Sequence, residues 1–143
     1  MKIYLDNSVL NRPFDDQTIL KIRLETIAII FILGLVDQGK IKLVNSSVIE
    51  YENSKNPFFE RKIWISAYLS KATFYQKLNL KIKERAKEIK ELKISPIDCL
   101  HLSSAEAAGV DYFISCDYDI IRKYKGKLKV LDPIKFAQIF KLK

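Results

Sequence analysis

Glycine and proline are scarce in this chain, four of each in 143 residues, and there are two cysteines and one histidine. So little Gly and Pro excludes a collagen-like or linker-rich chain, and 48% hydrophobic residues with 11% aromatics excludes a disordered one. Cys99 and Cys116 stand 17 positions apart with no second pair, which makes neither a metal finger nor a disulfide framework. Both read as small buried residues. Long apolar runs are missing too. The longest, Ile27 to Val36, has ten residues including Gly34, against the ~18 needed to span a bilayer. The opening MKIYLDNSVLN has no apolar stretch after its lysine and no small-residue cleavage site, so it does not read as a signal peptide. The expectation is a chain of the reduced cytoplasm with no membrane contact.

What the chain has in excess is positive charge: 25 Lys+Arg against 17 Asp+Glu, a net +8. A chain of this length reads as one domain, residues 1–143, large enough to bury about 68–70% of its unfolded surface without a staple. The charge is uneven. Segment 81–93, KIKERAKEIKELK, alternates bases with Glu84, Glu88 and Glu91, the pattern of a solvated helix face with i,i+3 and i,i+4 pairs. Segment 122–143 carries Arg122, Lys123, Lys125, Lys127, Lys129, Lys135, Lys141 and Lys143 against Asp132 alone. Of the two, the tail is the better candidate for a polyanionic partner.

Short Val/Ile/Tyr-rich runs alternate with longer helical patterns, the signal for an α/β fold. Strands are expected at 2–5, 41–44, 112–116 and 128–131. Helices are expected at 18–37, capped by Asp16 or Thr18 and ended before Gly39, then from Ser46 or Ser47 to about Lys55, at 58–70, at 81–92, from Ser95-Pro96 to Gly109, and after Pro133. A short helix follows 112–116. Residues 72–80 read either as loop or as a short edge strand. Strands joined by helices build a central, mostly parallel sheet between two helix layers, a three-layer α/β/α arrangement.

In such a sheet a ligand binds beyond the carboxyl ends of the strands. Four acidic residues are placed to point there: Asp6 after the first strand, Glu50 one turn into the helix after the second, Asp98 in the first turn after Ser95-Pro96, and Asp117 after YFISC. Asp119 is a near candidate. Each has a plain structural role to weigh against it. Asp6 can cap a turn, Glu50 can be a solvated face residue, Ser95-x-x-Asp98 has capping-box spacing, and Asp117 can cap the next helix. Carboxylates gathered in one pocket repel each other unless a cation neutralises them, and hard oxygen ligands select Mg²⁺ or Mn²⁺. An acidic metal pocket on a basic protein suits a phosphodiester substrate.

At these residues the chain resembles the PIN-domain family of Mg²⁺-dependent nucleases, which includes toxin ribonucleases of type II toxin–antitoxin pairs. KIYLDNSVLN is similar to the family's opening strand, with Asp6 and Ser8. VNSSVIEYE resembles its second motif and places the acid at Glu50. SPIDCLHLSSAEAAGVDYFISCDYDII resembles its longest stretch, with Asp98, Asp117 and the hydroxyl of Ser115. The resemblance implies a PIN-like fold and Asp6, Glu50, Asp98 and Asp117 as catalytic acids. It also implies Asp6, Asp98 and Asp117 on one or two Mg²⁺ or Mn²⁺, Ser8, Ser115 and Asp119 in support, and single-stranded RNA as substrate. A homodimer and an antitoxin protein are the partners it implies. The competing reading is a catalytically weak PIN-fold module that binds RNA or a partner protein.

Bases from the flanks would hold the RNA backbone, with Asn11, Arg12, Arg122, Lys123 and Lys125 as the candidates. Phe58, Phe59, Trp64 and Tyr68 read as core or protein interface more than as base-stacking groups. His101, the one histidine, lies three residues after Asp98 on the same helix face, where it can be packed or act as a base. Ile29, Ile30, Phe31 and Ile32 are consecutive and cannot all face one side of a helix, so an interface beyond the core is expected.

Overall fold

The computed structural model describes residues 1–140; Lys141 and Lys143 of the basic tail lie outside the described residues. Within these residues the strands are β1 Lys2–Leu5, β2 Lys42–Ser46, β3 Phe74–Gln76, β4 Tyr112–Ile114 and β5 Lys129–Leu131. They form one sheet in the order β3-β2-β1-β4-β5, and every neighbouring pair is parallel. The stretch 72–80 thus contributes an edge strand, and the expectation of a mostly parallel sheet sharpens to an all-parallel one.

The helices are α1 Asn7–Asn11, α2 Leu20–Asp37, α3 Ser47–Ser54, α4 Phe59–Leu69, α5 Leu80–Ile89, α6 Pro96–Ala108, α7 Tyr118–Lys123 and α8 Pro133–Ile139. They cover both faces of the sheet, and the alternation along the strands shows how. Tyr4 and Phe113, partners in register, stack at 5.2 Å and point toward α6, where Tyr4 meets His101. Tyr112 points the other way and meets Phe136 of α8 edge-on at 5.3 Å. The central strands are consequently apolar on both faces, with Ile3, Tyr4, Leu5, Leu43, Val44, Phe113 and Ile114 at most 1% exposed.

Helix ends follow local chemistry. Ser95 caps α6 with Pro96 in its first turn, and Gly109 leaves it at φ +66°. Gly39, at φ +71°, lets Lys40 N–H reach back to the Leu35 carbonyl and so closes α2. The start of α2 differs from expectation. Asp16 spends its carboxylate on the Thr18 N–H and hydroxyl in the preceding turn, and the helix begins after Ile19 without a side-chain cap. The chain after β1 also differs: it is not loop but α1, followed by a 3-10 turn at Arg12–Phe14. Asp6 nucleates it by accepting the Val9 N–H.

The amphipathic expectation for 81–93 holds, since Ile82, Ala86 and Ile89 are buried while Arg85 pairs with Glu88 three residues on. Cys99 and Cys116 are buried free thiols, and burial pushes the Cys116 thiol up to about 12. No helix of the described residues is long and apolar enough to cross a membrane.

Candidate functional site

Strand order reverses direction around β1, whose neighbours are β2 on one side and β4 on the other. The crevice outside the carboxyl ends of β1 and β4 is therefore the switch point at which open parallel sheets bind ligands. Register puts two motifs there. Leu5 pairs with Ile114, so Asp6 and Ser115 come next to each other as both strands end. Ser115 Oγ donates to Asp6 Oδ2 at 2.6 Å, and Ser8 Oγ donates to Asp6 Oδ1 at 2.5 Å. Ser8 Oγ in turn accepts the Cys116 N–H at 3.0 Å, and Ser115 Oγ accepts the Asp117 N–H at 2.9 Å. The two hydroxyls lock the ends of β1 and β4 together around one carboxylate.

That carboxylate is 2% exposed. Burial raises Asp6 to about 6, although the two hydroxyls and the Val9 N–H pull it down. Asp98 lies in the first turn of α6, where its N–H donates to Ser95 Oγ at 3.4 Å and its Oδ2 accepts the Ser95 hydroxyl at 2.6 Å. Ser95 thus caps the helix as expected, while the return bond goes to its hydroxyl and not to its N–H. Asp98 is also raised, first by burial and then by the neighbouring charges of Asp117 and Glu52. Asp117 caps α7 by accepting the Asp119 N–H, and Asp119 itself pairs with Arg122 on an exposed surface. Each aspartate thus fills its plain structural role, and Asp98 sits within electrostatic reach of other carboxylates.

Glu50 goes elsewhere. Its carboxylate accepts the Tyr75 hydroxyl at 2.8 Å and the Asn45 amide at 3.3 Å, in a separate cavity of about 260 Å³ shared with Asn53, Lys62 and Ser66. The glutamate that α3 turns toward the corner is Glu52. Its Oε1 meets His101 Nε2 at 2.6 Å, and its charge acts on both Asp98 and Tyr4. Sequence reasoning missed Glu52, yet a signal existed. Residues two apart on a helix lie about 200° apart around its axis, so only one of Glu50 and Glu52 can face a given site. Which one depends on where α6 puts His101.

The basic and aromatic candidates divide. Asn11 donates to Asn7 and accepts from Asn56, and Arg12 pairs with Asp15 at 3.1 Å and with buried Glu25 at 3.3 Å. Both still line a cavity of about 410 Å³ together with Ser8, Glu52, Lys55 and Arg61. On the other side, Arg122 is tied to Asp119 and Lys123 reaches the Lys93 carbonyl. Trp64 and Tyr68 pack on the core, as expected, with Trp64 edge-on to Phe14. Phe58 is 55% exposed, with the Arg61 guanidinium 4.4 Å from its ring centre.

Among the described residues no three His, Cys, Asp or Glu side chains converge as a ready cage for a metal ion. Asp6, Asp98 and Asp117 instead hold hydroxyl and N–H partners. The donors at this corner are nonetheless all oxygens, the type a hard divalent cation takes, and Asp6 is buried there with no basic side chain bonded to it among the described residues.

A sequence profile described as the PIN domain matches residues 3–126. No curated protein sequence matches the chain. Among solved structures, the chain is similar to one from the crystal structure of VapBC2 from Rickettsia felis bound to a DNA fragment from their promoter. Identity there is 19%, with a TM-score of 0.60 over 91% of this chain and 97% of the other, which is a likeness of fold.

Proposed function

The chain belongs to the PIN domain family, and from that premise we propose that it is a Mg²⁺- or Mn²⁺-dependent endoribonuclease acting on single-stranded RNA, the toxin of a toxin–antitoxin pair. The observation that carries the proposal is Asp6: a carboxylate buried at the switch point, aligned by two serine hydroxyls and raised to about 6. Helix capping alone does not require an acid there, since an amide could cap α1 as well.

Asp6, Asp98 and Asp117 would hold the ion, with Glu52 close enough for its charge to act on Asp98. Held there, a divalent ion would supply an acidified water and charge neutralisation at the leaving oxygen. The chain's own groups do the rest. Ser8 and Ser115 fix the Asp6 carboxylate so that its oxygens do not swing when substrate enters. Glu52, held at Oε1, supplies the proton acceptor nearest the corner. Lys55 and Arg61 join Asn11 and Arg12 around the adjoining cavity, where they can carry the phosphates that the carboxylates repel. Arg122, Lys123 and Lys125 would extend that track past α7.

A protein partner is part of the same proposal. Leu20, Leu24, Ile27 and Ile30 of α2 are 46–66% exposed and Phe59 of α4 is 74% exposed, while Ile29 and Ile32 are buried. A second copy or an antitoxin helix would cover this apolar surface.

The test is cleavage of a labelled single-stranded RNA by the full chain, with and without EDTA. Hydrolysis by water does not use the 2′-hydroxyl, so an RNA carrying a 2′-deoxy sugar at the cut is still cleaved if it binds. Cleavage that persists in EDTA and leaves a 2′,3′-cyclic phosphate would overturn the proposal.

A further inference from the structure

A line of hydrogen bonds runs through the core from β2 to α3. Ser46 Oγ and Tyr4 Oη are 2.8 Å apart, Tyr4 Oη and His101 Nδ1 are 2.7 Å apart, and His101 Nε2 lies 2.6 Å from Glu52 Oε1. Ser46, Tyr4 and His101 are fully buried, whereas the Glu52 side chain is 27% exposed on the wall of the cavity beside Ser8. We infer that His101 is a positioning residue: clamped through Nδ1 by Tyr4 and Ser46, it donates from Nε2 and holds Glu52 toward the acidic corner. The relay rests on the function proposed above only in giving Glu52 a task; the hydrogen bonds stand apart from it.

Counting hydrogens selects one arrangement. Ser46 Oγ already accepts the Ile49 N–H at 3.1 Å, so its own hydrogen turns to Tyr4 Oη. The Tyr4 hydrogen then goes to Nδ1, and Nε2–H goes to the carboxylate. Every hydrogen has an acceptor. With the proton on Nδ1 instead, the bare Nε2 would face a carboxylate oxygen at 2.6 Å with no hydrogen between them. With both nitrogens protonated, Tyr4 must accept from Nδ1 and donate to Ser46, and the buried Ser46 hydrogen has no acceptor among the described residues, which costs free energy.

Packing fixes the relay mechanically. The Tyr4 ring lies stacked on Phe113 and edge-on to His101 at 5.7 Å, so sheet register sets where its hydroxyl points. Three buried polar side chains contribute little to stability compared with apolar residues of the same shape. Their arrangement makes sense if the orientation of the carboxylate at the end matters.

The chain has one histidine, so a long-range ¹H–¹⁵N spectrum of the labelled full-length protein shows a single imidazole. In metal-free buffer at pH 8 the expected ring carries its proton on Nε2, and Tyr4→Phe, which keeps the stacking ring, gives a mixture of both neutral tautomers. Mg²⁺ titration by calorimetry supplies the second reading. His101→Leu should weaken Mg²⁺ affinity roughly 10–100-fold, the usual effect of losing an outer partner of a metal site, because Glu52 is then free to swing away from the acidic corner. His101→Gln, whose amide can still donate to Glu52, should recover most of it. A purely structural role would lower the melting temperature of both variants without that recovery. A wild-type ring protonated on Nδ1 or on both nitrogens would overturn the relay. So would unchanged Mg²⁺ affinity in a folded His101→Leu protein. RNA that stays intact while the wild type binds Mg²⁺ and shows the Nε2–H ring would defeat the proposed function and leave the relay standing.

Discussion

Asp6 and Glu106 are both buried carboxylates, 2% and 7% exposed, and the chain treats them in opposite ways. Glu106 on α6 receives Arg85 from α5 in a two-pronged bond, Nε to Oε1 at 2.8 Å and Nη2 to Oε2 at 3.2 Å, and the Tyr124 hydroxyl at 2.6 Å. Burial works against its charge, but these bonds overcome it and hold Glu106 below the ordinary glutamate range. Asp6 has a comparable number of donors but no lysine or arginine partner among the described residues. Burial wins there, and Asp6 stands at about 6. Neutral donors orient a buried carboxylate; only a cation makes its charge comfortable. One pair ties α5 to α6, whereas Asp6 is left with neutral donors alone, and a cation is what the proposed function would add there.

The largest effect expected on this comparison comes from Asp6→Asn. It should cut metal-dependent RNA cleavage by about a hundredfold or more, on the scale of removing a preorganised charged group from an active site. The apo protein should melt at the same temperature or higher, because a buried charge without a cation has been removed. An apo variant that unfolds would mean the carboxylate chiefly ties β1 to β4 through the Ser8 and Ser115 hydroxyls. Next come the two glutamates of α3. Glu52→Gln should lower cleavage about 10–100-fold, while Glu50→Gln, whose partners are Tyr75 and Asn45, should leave it within about twofold. Equal losses in both assays would erase the distinction drawn between them.

On the other side of the comparison, Arg85→Met leaves Glu106 buried without a cation. Breaking buried pairs costs about 3–5 kcal/mol, and since the Arg85 side chain is 35% exposed a loss of about 2 kcal/mol is expected in urea denaturation. Replacing Arg85 and Glu106 together with Met and Gln should cost less than the single change. The smallest effect is the pH dependence, measured without divalent metal. The folded state holds the Asp6 proton up to about pH 6, above the ordinary 3.8, so stability should rise by about 1–2 kcal/mol as pH falls from about 6 to about 4.5. Glu106 has the opposite sign: its contribution is present above about 4.5, the ordinary glutamate value, and is lost as pH falls further. Stability of the metal-free protein should therefore peak between these values, and Asp6→Asn should remove the alkaline slope alone.

Much of the fold was legible because its signals are local. Pro96 with Ser95, Gly109, and the short apolar runs KIYL and YFISC mark boundaries by backbone sterics and side-chain capping, which need no knowledge of the rest of the chain. The acidic positions at the ends of β1 and β4 were legible for the same reason: each follows directly on its strand. Glu52 was not, because nothing within α3 distinguishes its two glutamates except the side of the sheet on which α6 lies. The pairing of Arg12 was not legible for the same kind of reason, since its partner Glu25 lies 13 positions away and the buried setting of that glutamate depends on how α2 packs.

The sequence by itself determined the alternation of strands and helices, the placement of Asp6, Asp98 and Asp117 at strand and helix ends, and the excess of positive charge. Those are properties of neighbouring residues and of composition. Only the tertiary structure decided that β3 joins the edge of the sheet, that Ser8 and Ser115 close on one carboxylate from 107 positions apart, that His101 meets Glu52, and that Glu106 has a guanidinium where Asp6 has none. Each of those depends on register and on which helix packs against which face. Burial then acts on the result, because the cost of a charge is set by everything that surrounds it and not by its place in the chain.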